Sequence, residues 1–177
     1  TIVVQSLENN EVDFALVSVI PDQFKTNKVQ LLQNKLYLIG SPRIIPEKSM
    51  SVKKLFERFP LLFREEGSAT RAAMESFLQE NKIPINKKMK FKSNEALKQA
   101  AIAGLGFSIM PLIGIKNALN NGDLAVIPHK KLPIITHWHL IWLKAKKLSP
   151  VATAFLEFIQ TEKKRIVEEV FAWYEGY

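Results

Sequence analysis

The sequence has no cysteine among its 177 residues. A disulfide framework and a thiolate metal site are therefore excluded. This fits a reducing compartment, and a cytoplasmic location is expected. The opening Thr1-Ile2-Val3-Val4 has no basic leader segment and runs straight into polar residues, so no secretory signal is expected. Long apolar runs are also missing. The longest uncharged stretch, Gln99 to Ile115, is 17 residues and contains Gly104, Gly106, Gly114 and Pro111. That is a poor membrane span, and no membrane partner is expected.

Catalytic signatures are scarce as well. In "GSATR" (67–71), Thr70 stands where a nucleophile elbow centred on Ser68 needs its second glycine, and the stretch lacks the Gly-Lys-Ser/Thr end of a phosphate loop. "GLGFSI" (104–109) is a lone Gly-x-Gly with Ile109 in place of the third glycine. It reads as a helix end followed by close helix–strand packing. "HWH" puts His137 and His139 on one strand face, but no third ligand is evident; His129 or a carboxylate would have to come from elsewhere. Glu65 and Glu66 are neighbours, so on extended backbone they point opposite ways and make a weak acid–base pair. Glu66 is better placed to neutralise Arg64 or Arg71. No metal, cofactor or catalytic constellation is expected, and the chain is read as a non-enzyme.

What is present is a foldable composition: 47% hydrophobic, 10% aromatic and a net charge of +8. The lysines are scattered in pairs without interleaved aromatics, which argues against direct nucleic-acid binding by this chain. Strand and helix signals alternate. Val3 to Leu7 reads as a helix end and Val12 to Ile20 as a buried strand. Val29 to Ile39 is a long extended run. Ser51 to Phe59 is a short helix with Ser51 as N-cap, and Leu61 to Phe63 a strand. Helical spacing of Ala73, Met74, Phe77 and Leu78 predicts a helix from Thr70 to Asn81. Met89 to Lys92, Phe107 to Met110, Leu124 to Ile127 and Ile134 to Leu143 read as strands. A helix capped at Ser93-Asn94 runs to Ala103, with Gly104 closing it. Ser149-Pro150 opens a last, long helix reaching about Trp173, expected to pack across a sheet.

This alternation predicts an α/β fold with mostly parallel strands. In such folds ligands bind beyond the carboxyl ends of strands, near helix N-termini. Two loops qualify, Glu65 to Thr70 and Lys92 to Glu95. Each offers hydroxyl or amide groups beside free backbone N–H groups, which favour an anion. Ser68 or Thr70 as a plain N-cap is the competing, and compatible, reading.

The order and spacing of four stretches resemble the effector-binding domain of LysR-type transcriptional regulators: "VQSLENNEVDFALVS" (4–18), "PLLFREEGSATRAAMESFL" (60–78), "FKSNEALKQAAIAGLGFSIMP" (91–111) and "LSPVATAFLEFI" (148–159). The resemblance implies two Rossmann-like α/β subdomains joined by two crossing strands, similar to type II periplasmic binding proteins. Subdomain I would take residues 1–36 and 136–177, N-terminally incomplete, and subdomain II residues 37–135. It also implies a cleft for a small anionic or polar metabolite. The positions that carry over as effector contacts are Thr1, Ser18, Gly67, Ser68, Ala69, Thr70, Ser93 and Asn94. Homodimers, tetramers in a full-length protein, and DNA contact only through a separate N-terminal domain are further implications. A solute-binding protein of a transporter is the alternative on the same architecture.

Overall fold

In the computed structural model, which describes residues 2–45 and 51–177, the chain divides into two compact units. Unit 1 comprises residues 1–34 and 136–177; unit 2 comprises residues 35–135. Two strands, β2 (Thr26–Gly40) and β7 (Ile134–Leu143), run through the boundary positions.

Unit 2 is built around the second half of β2. From Asn34 to Gly40 every residue of this strand is buried. It lies between β5 (Ser108–Pro111) and β6 (Ala125–Val126), antiparallel to both, with Tyr37 opposite Met110 and Gly40 opposite Ala125. A strand covered on both faces reads as the near-continuous apolar run "LYLI". On the far side of β5, β3 (Leu61–Arg64) joins through Phe107: the Leu62 N–H donates to the Phe107 carbonyl at 2.8 Å. β4 (Lys88–Phe91) then pairs in parallel with β3. Helices α2 (Val52–Arg58), α3 (Ala69–Glu80), α4 (Asn94–Ile102) and α5 (Leu112–Asn120) complete the unit. Its core gathers Leu36, Leu38, Phe56, Leu61, Phe63 and Phe77 with Phe107 and Ile109. Phe59 meets Phe107 edge-to-face at 5.3 Å. The packing leaves no room for a side chain at two glycines: a Cβ on Gly40 would lie 2.3 Å from the Phe107 ring, and one on Gly106 2.2 Å from the Pro60 carbonyl oxygen.

Unit 1 pairs β1 (Ala15–Val17) antiparallel with β7, Val17 opposite His139. Helix α1 (Ile2–Glu8) buries Leu7 against Ala15, Val17 and Ile141. The long α6 (Pro150–Val170) starts as its sequence dictates: Ser149 Oγ accepts the Ala152 N–H at 3.2 Å and Pro150 occupies the first turn, where its missing N–H costs nothing. A 3-10 turn, Ala172–Gly176, follows and buries Tyr174 completely.

Three expectations are corrected. The strands are not mostly parallel: β3–β4 is parallel, whereas β1–β7, β2–β5 and β2–β6 are antiparallel. The strand expected over 12–20 shrinks to Ala15–Val17, because Asp13 leaves to pair with Lys146 at 2.7 Å and the chain bends at Ser18, leaving Val19 62% exposed. Helix α5 is absent from the sequence reading; Pro111 supplies no side-chain cap and Gly114 interrupts the pattern, yet Leu112, Ile115 and Ala118 bury one face. In α6, Ala152 is buried and Leu156, Ile159, Ile166 and Val167 are partly buried, while Phe155 and Phe158 remain about half exposed.

Candidate functional site

Parallel pairing of β3 with β4 brings two helix N-termini together. The register sets Leu61 opposite Lys88 and Arg64 opposite Phe91, so both strands end on one side of unit 2. Each is followed at once by a helix, α3 after β3 and α4 after β4. The loop 65–68 turns at Gly67, whose φ of 83° suits glycine and is costly for other residues. Ser68 then takes the N-cap position of α3 with extended backbone, and its carbonyl accepts the Ala72 N–H at 3.0 Å. Ala69 and Thr70 form the first turn, where backbone N–H groups have no partner within the helix.

The two cap serines are used differently. Ser93 Oγ accepts the Ala96 N–H at 3.1 Å, which spends its hydroxyl on capping α4. Ser68 makes no side-chain cap hydrogen bond, although it holds the same position on α3.

Charged groups lock the loops to each other. The Arg64 guanidinium forms a bidentate pair with Glu65, both contacts at 2.7 Å, and also donates to Asn94 Oδ1. Arg71 pairs with Glu75 at 2.8 Å and reaches Glu66 at 3.5 Å and the Arg64 carbonyl at 3.4 Å. Lys90 pairs with Glu66 at 2.9 Å. Glu66 thus serves Lys90 and Arg71, and Glu65 takes Arg64. The Arg64 hydrogen bonds hold the Glu65 carboxyl below its usual range; Lys90 does the same for Glu66. Both carboxylates stay ionised and paired, which suits positioning and not proton transfer. The groups left over are the Ser68 and Thr70 hydroxyls and the N–H groups of the first α3 turn, all donors at the positive end of a helix dipole.

The structure therefore brings together Gly67, Ser68, Ala69, Thr70, Ser93 and Asn94. Ser18 lies on unit 1, half-buried, directly after β1. Thr1 lies outside the described residues. Sequence reasoning misses Arg64 as the tie between the loops; the signal is the "REE" run, whose local pairing hides the reach across to Asn94. His137 and His139 sit with ring centroids 6.3 Å apart, and among the described residues no group of three or more His, Cys, Asp or Glu is placed to hold a metal ion. At "GLGFSI", Gly104 adopts φ 78° just past the α4 C-cap Ala103, and Gly106 packs on the Pro60 backbone, as a helix end and close packing require.

Residues 2–164 match the model of the LysR substrate binding domain. The chain belongs to that family. It is an effector-binding domain of a LysR-type regulator. It is 38% identical over 159 residues to the HTH-type transcriptional activator CmpR of Synechocystis sp., covering 89% of this chain and 52% of that protein. It is 36% identical over 165 residues to a RuBisCO operon transcriptional regulator of Allochromatium vinosum, covering 92% and 54%. The chain spans about half the length of these LysR-type relatives. Among solved structures, the regulatory domain of Synechocystis CcmR in complex with 2-PG superposes with a TM-score of 0.80 at 25% identity, covering 91% of this chain and 78% of that one. The effector binding domain of QuiR in complex with shikimate gives 0.76 at 20% identity, with 92% and 77% coverage, and shows the shared fold. These neighbours carry the periplasmic-binding-protein type II-like architecture, and the regulators among the relatives do not favour the transporter alternative. Among the described residues, no helix is long and apolar enough to cross a membrane.

Proposed function

We propose that the paired N-termini of α3 and α4 form the unit 2 part of the effector site, and that the effector is a small anionic or polar metabolite. The observation that carries this is the contrast between the two caps. Ser93 spends its hydroxyl on its helix, whereas Ser68 leaves its hydroxyl unused beside the open first turn of α3. A carboxylate, phosphate or sulfate oxygen is the partner such donors favour. Ser93 and Asn94 then act mainly as builders of the site, and Ser18 is the candidate contact on unit 1. The 2-PG and shikimate held by the CcmR and QuiR domains are small metabolites, and effectors of that size are the class expected here. The reading is of a sensor and not an enzyme. Effector binding would bias how subunits of a homo-oligomer pack, dimeric for this domain and tetrameric in a full-length cytoplasmic regulator. Through that packing it would bias DNA contact by a separate helix-turn-helix domain. The half-exposed Phe155 and Phe158 on α6 support self-association.

The test is thermal unfolding of the chain against a panel of small anions that includes 2-PG and shikimate. A ligand at a hundred times its Kd should add about 2.7 kcal/mol of stability. A shift produced by one ligand and lost in both Ser68→Ala and Thr70→Ala supports the site. A shift that survives both substitutions places the effector elsewhere.

A further inference from the structure

Unit 2 holds a second recess, remote in sequence from the loops just described. It lies between the start of α2, the turn that ends α3 and the segment after β6, and its volume is about 740 Å³. Small-molecule sites typically occupy roughly 300–1,000 Å³. Its floor is apolar: Val52, Ile83 and Ile127 line it and pack on the unit 2 core. Its rim is cationic: among the described residues, Lys53, Lys82, Lys130 and Lys131 stand against one carboxylate, Glu80.

Several lysines elsewhere are paired. Lys90, Lys98, Lys146 and Lys164 each reach a carboxylate. Among the described residues, none of the four rim lysines does. Like charges gathered round one recess repel each other, and without a counter-charge they lower stability. The backbone that carries them is nevertheless fixed. Asn81 donates from its side chain to the Phe77 carbonyl at 2.7 Å, and the Ile83 N–H to the Leu78 carbonyl at 2.9 Å. Lys82 sits between them at φ 52°, a left-handed conformation that a lysine seldom adopts. Across the recess, the Lys131 N–H donates to His129 Nδ1 at 3.2 Å, and the His129 ring stands edge-on to Phe77 at 5.2 Å.

We propose that this recess is a second anion site, built for a small molecule that carries two or more phosphate groups. A single carboxylate could meet only part of a rim of four ammonium groups spread around such a volume. Lysine is a compact point charge without the planar fork that arginine offers a carboxylate, and it suits clustered phosphate oxygens. The apolar floor adds room for an uncharged body between the phosphates. The same phosphate chemistry could come from a free metabolite or from a nucleic-acid backbone. The recess, 740 Å³ in volume over an apolar floor, favours the former.

The experiment is titration calorimetry of the chain with inorganic pyrophosphate, and separately with a short DNA duplex. The variant is Lys82→Gln with Lys131→Gln, both at exposed positions so that folding is not at risk. Pyrophosphate is expected to bind the parent chain and to bind the double variant about tenfold more weakly. Three outcomes overturn the proposal: no pyrophosphate binding up to millimolar concentration, an affinity unchanged in the double variant, or tighter binding of the duplex than of pyrophosphate.

Discussion

Two glycines show how far a single Cβ depends on its surroundings. Gly106 sits where the chain crosses from α4 into β5, and an added methyl would meet the Pro60 carbonyl oxygen at 2.2 Å and its carbon at 3.0 Å. Those are backbone atoms, and the same carbonyl accepts the Phe107 N–H at 3.1 Å, so the β3 junction cannot move aside without losing that bond. Gly106→Ala should cost about 1–3 kcal/mol, as overpacking does. Gly114 is the opposite case. It lies inside α5, exposed, and a methyl added there would meet nothing within 4 Å among the described residues. Gly114→Ala should add about 0.5–1 kcal/mol by restoring helix propensity. Thermal or urea unfolding of the two variants checks both signs. A stabilised Gly106→Ala would mean that the Pro60–Phe107 junction is looser than its geometry says.

Elements differ in how openly the sequence declares them. The helices with hydroxyl starts are legible: Ser51, Ser93 and Ser149 each accept a backbone N–H three residues on, and the helices begin there. α5 is not, because its N-cap is Pro111 and its pattern contains Gly114. Its existence rests on burying Leu112, Ile115 and Ala118, which only the folded unit reveals. Strand existence is likewise readable and strand pairing is not. β7 meets β1 across more than a hundred residues, and nothing local marks that pair as antiparallel. The site follows the same rule. Its loops are visible as turn chemistry before helices; the Arg64–Asn94 link that ties them is a long-range event. The difference between caps gives an element-level prediction. Ser93→Ala should destabilise by about 1 kcal/mol, since it removes the bond to the Ala96 N–H. Ser68→Ala should leave stability nearly unchanged, because no cap bond is lost. Unfolding in the absence of any ligand checks this. Equal losses in both variants would mean that Ser68 serves α3 in solution as Ser93 serves α4, and the case for a ligand-facing hydroxyl would weaken.

At the scale of the whole molecule, each unit carries one histidine whose charged form is disfavoured. His139, in unit 1, is held below its ordinary pKa chiefly by burial and then by Lys28; its Nδ1 is buried with no hydrogen-bond partner among the described residues. His129, in unit 2, is lowered by burial and by the charges of Lys130 and Lys131. The unfolded chain takes up protons near pH 6.5, the ordinary histidine value, while the folded chain resists them until lower pH. Between those two pH values the unfolded state binds more protons, so stability rises with pH. The contribution is complete above about pH 6.5 and is lost as pH falls toward the folded pKa values. The paired glutamates act in a separate window. Glu65, Glu66 and Glu95 are lowered by Arg64, Lys90 and Lys98 respectively, so their contribution disappears only in acid, below their ordinary value of 4.5. Melting temperature measured between pH 8 and pH 5 should therefore stay level and then fall through the histidine window. Replacing both rings by uncharged groups, His129→Gln with His139→Gln, should flatten that fall and leave the later acid loss intact. The chain also gains positive charge on top of +8 as pH drops, and general self-repulsion acts in the same direction. The double variant separates the two causes: a slope that persists without the histidines would assign the loss to net charge, and a slope that vanishes would assign it to these two rings.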